Sequence, residues 1–188
     1  MGDDGGTSRG DAGRETAASG DGDSGQRRRT VGGDDGDLRA LRTVADYQFG
    51  AGAGTVLFPP AETFEVRTSA SGRPRQVHHG GERLVSYGTD GLVTLGVAGG
   101  RRLADGDAPA PRVVVGEESD PHVRAGRNAF AKFVRAVAAA VRPGAETVVV
   151  VDDRVVGVGR AVLWPAAMRA FDSGVAVEVR HGAGPGEN

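Results

Sequence analysis

The chain has 188 residues, of which 32 are glycine and none is cysteine, and a formal net charge of −2. That length admits one large domain or two small ones. The missing thiol excludes disulfides, thiolate catalysis and a cysteine-held zinc. No apolar run reaches the ~20 residues of a membrane helix, and the N-terminus carries no apolar signal core, so a soluble, cytoplasmic protein is expected. The charge is unevenly spread. Met1 to Asp37 holds 9 acidic and 5 basic residues, whereas Leu38 to Asn188 holds 16 acidic and 18 basic. Lys132 is the only lysine. A GC-rich genome produces such arginine preference, and it also stocks the surface with the side chain that pairs bidentately with phosphate.

Met1 to Asp37 is built from Gly, Asp, Ser, Thr and Arg, with Val31 its one large apolar residue beyond Met1. Such a segment buries too little surface to offset chain entropy and is expected to be a disordered acidic tail. Arg27-Arg28-Arg29 then reads as a charge run in solvent. From Leu38 to Phe49 the apolar residues follow helical spacing, with Asp37 as N-cap. Gly50-Ala51-Gly52-Ala53-Gly54 interrupts the helix. It contains Gly-x-Gly, but a dinucleotide site needs a strand before the turn, and none precedes it. Strands are predicted at Phe64–Thr68, Arg73–Val77, Arg83–Tyr87 and Leu92–Leu95, the last two joined by the tight turn that Asp90-Gly91 favours. Residues 38–104 are thus an α+β domain, a small antiparallel sheet with a helix on one face.

Val44-Ala45-Asp46-Tyr47-Gln48-Phe49-Gly50 through Gly54, then Ser71-Gly72-Arg73-Pro74-Arg75, then Asp90-Gly91-Leu92-Val93-Thr94-Leu95, occur in an order that resembles the domain preceding the PUA module in archaeal tRNA-guanine transglycosylase. That family inserts an archaeosine precursor base into tRNA. Ala104 to Pro111, rich in Pro, Ala, Asp and Gly, is the expected linker, with its core at 105–111.

Residues 112–183 read as strand Val113–Val115, a helix beginning at Gly126–Asn128, buried strands Val148–Val151 and Val155–Ala161, a short helix Pro165–Phe171, and a last strand Gly174–Arg180. The residues after 183 are expected to fray. This is a mixed β pseudo-barrel with two short helices. Gly126-Arg127-Asn128, Phe130-Ala131-Lys132-Phe133-Val134, Arg142-Pro143-Gly144, Val158-Gly159-Arg160-Ala161 and the strand ending at Arg180 resemble, in register, the PUA domain, an RNA-binding module found beside tRNA-modifying enzymes. The resemblance implies RNA contact through Gly126, Arg127, Asn128, Lys132, Arg160 and Arg180. With Arg127 and Asn128 at a helix start, free N–H groups would favour phosphate there. Helical spacing puts Phe130, Phe133, Val134 and Val137 on a buried stripe and Lys132 beside Arg135 on the exposed face.

Catalysis is not implied. The transglycosylase family uses an aspartate nucleophile on a barrel and holds zinc through cysteines, and a (β/α)8 barrel of about 250 residues does not fit beside two small domains here. His78 and His79 are adjacent on a strand and point to opposite faces, so they cannot share a metal. Glu117, Glu118 and Asp120 form a hydrophilic loop. No cofactor and no metal are expected. The expected function is non-catalytic binding of RNA, tRNA foremost, linked to tRNA modification and without a membrane. An accessory subunit of a split transglycosylase, working with a separate modifying enzyme, and a translation-associated protein-interaction module are the alternatives.

Overall fold

The computed structural model describes residues 27–185. Most of the expected tail lies outside this range, but its last part does not. Arg27–Gly32 forms strand β1, paired antiparallel with β2 (Thr63–Thr68) from Arg27↔Thr68 to Gly32↔Thr63. The tail expectation therefore ended too late, at Asp37. Strand pairing uses backbone groups and tolerates a run of arginines, provided one anchor such as Val31 is buried. Helix α1 (Gly36–Phe49) buries Leu38, Leu41, Ala45 and Phe49, the spacing that defines its apolar face. Its N-cap is Asp35, which accepts the Asp37 N–H at 2.9 Å, rather than Asp37 itself. Asp37 instead adds negative charge to the first turn, where the helix dipole favours it.

The Gly-rich stretch after α1 is a packing device. Helix α2 (Ala53–Leu57) crosses α1 so closely that a Cβ on Gly54 would lie 2.4 Å from the Arg42 carbonyl oxygen. Asp46 Oδ1 accepts the Gly54 N–H at 2.7 Å and locks the crossing. Strands β3 (Pro74–His79), β4 (Glu82–Tyr87) and β5 (Val93–Leu95) complete an antiparallel sheet of order β1-β2-β3-β4-β5. Its inner row, Val66, Val77, Val85 and Leu95, faces the helices.

Helix α3 (Val97–Asp105), which the sequence pattern did not suggest, occupies the start of the expected linker. Its consecutive Gly99 and Gly100 are poor helix formers, each costing about 1 kcal/mol relative to Ala. They are there because α3 is wedged between two sheets. Gly99 lies against the Leu84 backbone of β4, and Gly100 against Val158 of the second sheet.

The second sheet has the order β7-β11-β10-β9-β6-β8 and comprises β6 (Arg112–Val115), β7 (Ala129–Phe130), β8 (Val134–Val137), β9 (Glu146–Val151), β10 (Arg154–Ala161) and β11 (Val175–Gly182). The β6–β9 pair is parallel and the rest are antiparallel. The two end strands, β7 and β8, are separated only by the 3-10 turn Ala131–Phe133, so the sheet curls into a nearly closed barrel. Helices α4 (Asp120–Arg124) and α5 (Pro165–Ala170) are its two short helices. β9 is buried on both faces: Val149 and Val151 point into the barrel, while Val148 and Val150 join the core of the first domain. The expected linker is itself packed against this shared core through Ala108 and Ala110. No helix among the described residues is long and apolar enough to cross a membrane.

One expectation about the barrel is corrected. A helix does not begin at Gly126; one ends there. Asp120-Pro121 opens α4, and Gly126, at φ +80°, terminates it in the left-handed conformation. The apolar residues that follow at helical spacing are shared between β7, the 3-10 turn and β8. Phe130 is consequently 43 % exposed, and Phe133, Val134 and Val137 are only half-buried.

Candidate nucleic-acid interface

The loop from Gly126 to Asn128 links α4 to β7. Its shape follows from the helix stop: Arg127 N–H donates to His122 O at 2.9 Å, closing the turn. Asn128 then fastens the loop to the last strand, since Val179 N–H donates to its Oδ1 at 3.1 Å. Asn128 therefore sets the loop's position, and Arg127, exposed and with no ion pair among the described residues, projects from it. A cleft of about 280 Å³ lies beside the loop, lined by Ser119, His122, Val123, Arg127, Asn128, Phe130, Lys132 and Phe133. Val123 and the two phenylalanines give it apolar walls, and Arg127 and Lys132 stand at it as cations. Lys132 Nζ lies 4.6 Å from the centre of the Phe133 ring. The Ser119 hydroxyl is buried with no protein partner. Apolar walls, a spare hydroxyl and two cations suit a base with its phosphate. The helix-start contact expected for Arg127 and Asn128 is replaced by this loop beyond a helix end.

Two of the six expected contacts lie elsewhere. Arg160 and Arg180 line a second cleft, of about 460 Å³, with Tyr47, Gln48, Thr94, Gly144 and Glu146, at the junction of the two domains. Arg160 pairs with Glu178 at 3.1 Å on the neighbouring strand. Arg180 Nη1 pairs at 2.6 Å with Glu146, whose side chain is 4 % exposed. Burial raises the Glu146 carboxyl above its ordinary pKa, and Arg180, the Leu95 N–H and Arg83 only partly oppose that. Tyr47, 86 % exposed at this cleft, was missed by sequence reasoning. The signal was present, an aromatic on the polar face of an amphipathic helix. Other basic side chains near the first cleft are already occupied. Arg124 pairs with Asp120, and Arg135 with Glu118 at 2.7 Å. His78 and His79 diverge as expected, His78 toward Gln76 and His79 toward Glu62 and Arg102.

Residues 39–110 match the patch-forming domain C2 of tRNA-guanine transglycosylase, and residues 111–183 match the PUA domain. The chain joins a C2 domain to a PUA domain. The C2 half holds β2–β5 with the helices packed on them, and the PUA half is the barrel holding the Arg127 cleft. The tRNA-guanine(15) transglycosylase of Methanothermobacter thermautotrophicus is 40 % identical over 149 residues, covering 78 % of this chain and 23 % of that enzyme. That of Pyrococcus furiosus is 39 % identical over 145 residues, covering 76 % and 24 %. The chain therefore spans about a quarter of the length of these relatives. Among solved structures a similar fold is seen in a conserved PUA domain protein of Thermoplasma acidophilum (TM-score 0.61, 19 % identity, 85 % of this chain and 95 % of that one). It is seen also in a hypothetical protein of Pyrococcus horikoshii (TM-score 0.58, 19 % identity, 84 % and 95 %).

Proposed function

We propose that the C2 and PUA domains bind structured RNA, tRNA foremost, in the cytoplasm, and serve tRNA modification without performing the chemistry themselves. The observation that carries the reading is the Arg127 cleft of the PUA domain, where two cations, apolar walls and an unpartnered hydroxyl converge. RNA of this kind is held mainly by phosphate and shape, with an unstacked base taken into a pocket. Gly126, Arg127, Asn128 and Lys132 make the first contact in this reading, and Arg160 and Arg180 a second at the domain junction. The test is tRNA binding over a salt series. If Arg127 neutralises a phosphate, Arg127→Ala reduces the slope of log affinity against log salt by about 0.7–0.9. Thermal stability should be unchanged, because the side chain is exposed and unpaired. Unaltered affinity and slope in Arg127→Ala and Lys132→Ala together would remove this cleft as the RNA site.

A second reading is favoured by the identity with the tRNA-guanine(15) transglycosylases. The two domains hold tRNA for a separate transglycosylase chain that exchanges guanine 15, the reaction for which the relatives are named. In both readings the purified 188-residue protein, free of host enzyme, incorporates no radiolabelled guanine into tRNA. Added back to a catalytic chain lacking its own C2 and PUA domains, it raises exchange only if the second reading is right. Incorporation by the purified protein alone would overturn both.

A further inference from the structure

The C2 sheet has a face turned away from its helices. Register assigns that face residue by residue, because side chains alternate along a strand. One row crosses all five strands: Arg28, Arg67, Gln76, Ser86 and Thr94. The next row is Thr30, Glu65, His78 and Arg83. Both rows are polar throughout, and both run to the PUA domain. Thr94 lines the junction cleft that holds Arg160 and Arg180. Gln76, His78 and Arg83 line a further cleft of about 400 Å³ with His181 of β11.

The charges on this face do not cancel. Arg67 is tied to Glu65 at 2.8 Å and Arg180 to Glu146. Glu82 lies 3.9 Å from Arg101. Arg28 and Arg83 hold no ion pair among the described residues. Burial, and then the neighbouring Arg180, depresses the Arg83 pKa. Burial, and then nearby arginines, does the same to His78 and His181, and the Nδ1 of His78 is buried without a partner. A polar face on which the exposed Arg28 and the half-buried Arg83 lack ion-pair partners fits a polyanion, because guanidinium forks match phosphate geometry. β1, which supplies Arg28, lies outside both family matches, so its arginine adds to the sheet those domains define.

We propose that this face is a second RNA-binding surface, on which Arg28 and Arg83 hold phosphates of the same RNA that the PUA cleft engages. The inference rests on the RNA-binding reading above and deepens it. Thr94, at the end of the first row, brings this face to the junction cleft of Arg160 and Arg180.

The test uses the full chain with deacylated total tRNA over a salt series. Arg28→Ala and Arg83→Ala should each flatten the salt slope by about 0.7–0.9 with an unchanged melting temperature, and Arg28→Lys should restore it. Combined with Arg127→Ala, Arg28→Ala should lower the slope by the sum of the two single effects, because they meet different phosphates. If wild type binds and Arg127→Ala flattens the slope while Arg28→Ala and Arg83→Ala leave it unchanged, this surface is refuted and the PUA reading stands. If wild type does not bind tRNA, both fall.

Discussion

Gly99→Ala is expected to destabilise the protein by about 3 kcal/mol, the upper part of the usual range for overpacking. A Cβ at this position would lie 2.1 Å from the carbonyl oxygen of Leu84, a backbone atom of β4 that cannot rotate aside. Relief would require α3 to move off the C2 sheet. Because α3 also packs on β10 of the PUA domain, the shift would open the core that the two domains share. Gly100→Ala should cost less, since its nearest neighbour is the Val158 Cγ1 methyl at 2.5 Å, part of a side chain that has other rotamers. Gly36→Ala, at the first residue of α1 with open space around it, should be neutral or stabilising by up to about 1 kcal/mol. Urea unfolding of the three variants checks the order. A Gly99→Ala protein as stable as wild type would mean that α3 does not clamp the domains.

Glu146→Ala is expected to cost about 2–3 kcal/mol. The carboxylate belongs to the PUA domain, yet its Oε1 accepts the N–H of Leu95 in the C2 domain at 3.1 Å as well as the Arg180 guanidinium. Truncation leaves that buried N–H without an acceptor, worth about 1–3 kcal/mol. Arg180 also loses its counter-charge. It is 36 % exposed, so water offsets much of that loss and the cost stays below the range for a fully buried pair. Glu146→Gln separates the two contributions, because the amide oxygen still accepts from Leu95. The sign of the pH effect follows from burial. The carboxyl of Glu146 holds its proton more tightly in the folded protein than its ordinary value of 4.5. Its contribution is therefore fully present below pH 4.5 and is lost as the pH rises through the folded value. Relative to Glu146→Gln, the wild type should lose stability over that rise, as read by thermal melting across pH. A difference that is flat, or that grows with pH in favour of the wild type, would show that the ion pair with Arg180 outweighs burial.

Helix α1 was legible from the sequence because its whole apolar face lies within one stretch of chain, and the Asp90-Gly91 hairpin because a turn is a local conformation. The run from Val148 to Val151 was legible as a buried strand, and the order of motifs identified both domains. Three features were not. β1 escaped notice because pairing with β2, thirty residues further on, is a backbone interaction that arginine side chains neither promote nor forbid. α3 escaped because Gly99-Gly100 is a weak helical signal, and its justification is the closeness of two sheets that no local pattern reports. The stretch after Gly126 read as a helix because Phe130, Phe133, Val134 and Val137 fall at helical spacing, whereas in the fold they are divided among a 3-10 turn and the two strands it joins, at opposite ends of one curled sheet. The six RNA-contact candidates could be named from the sequence, but their arrangement could not. The separation of Arg160 and Arg180 from Arg127 depends on where β10 and β11 meet the C2 domain, and the partner of Arg180 is a carboxylate 34 positions away. Local sequence thus determined which elements form and which domains they build, since propensity, capping and periodicity act over a few residues. Long-range packing alone decided how the domains share a core and which cations remain without an ion pair.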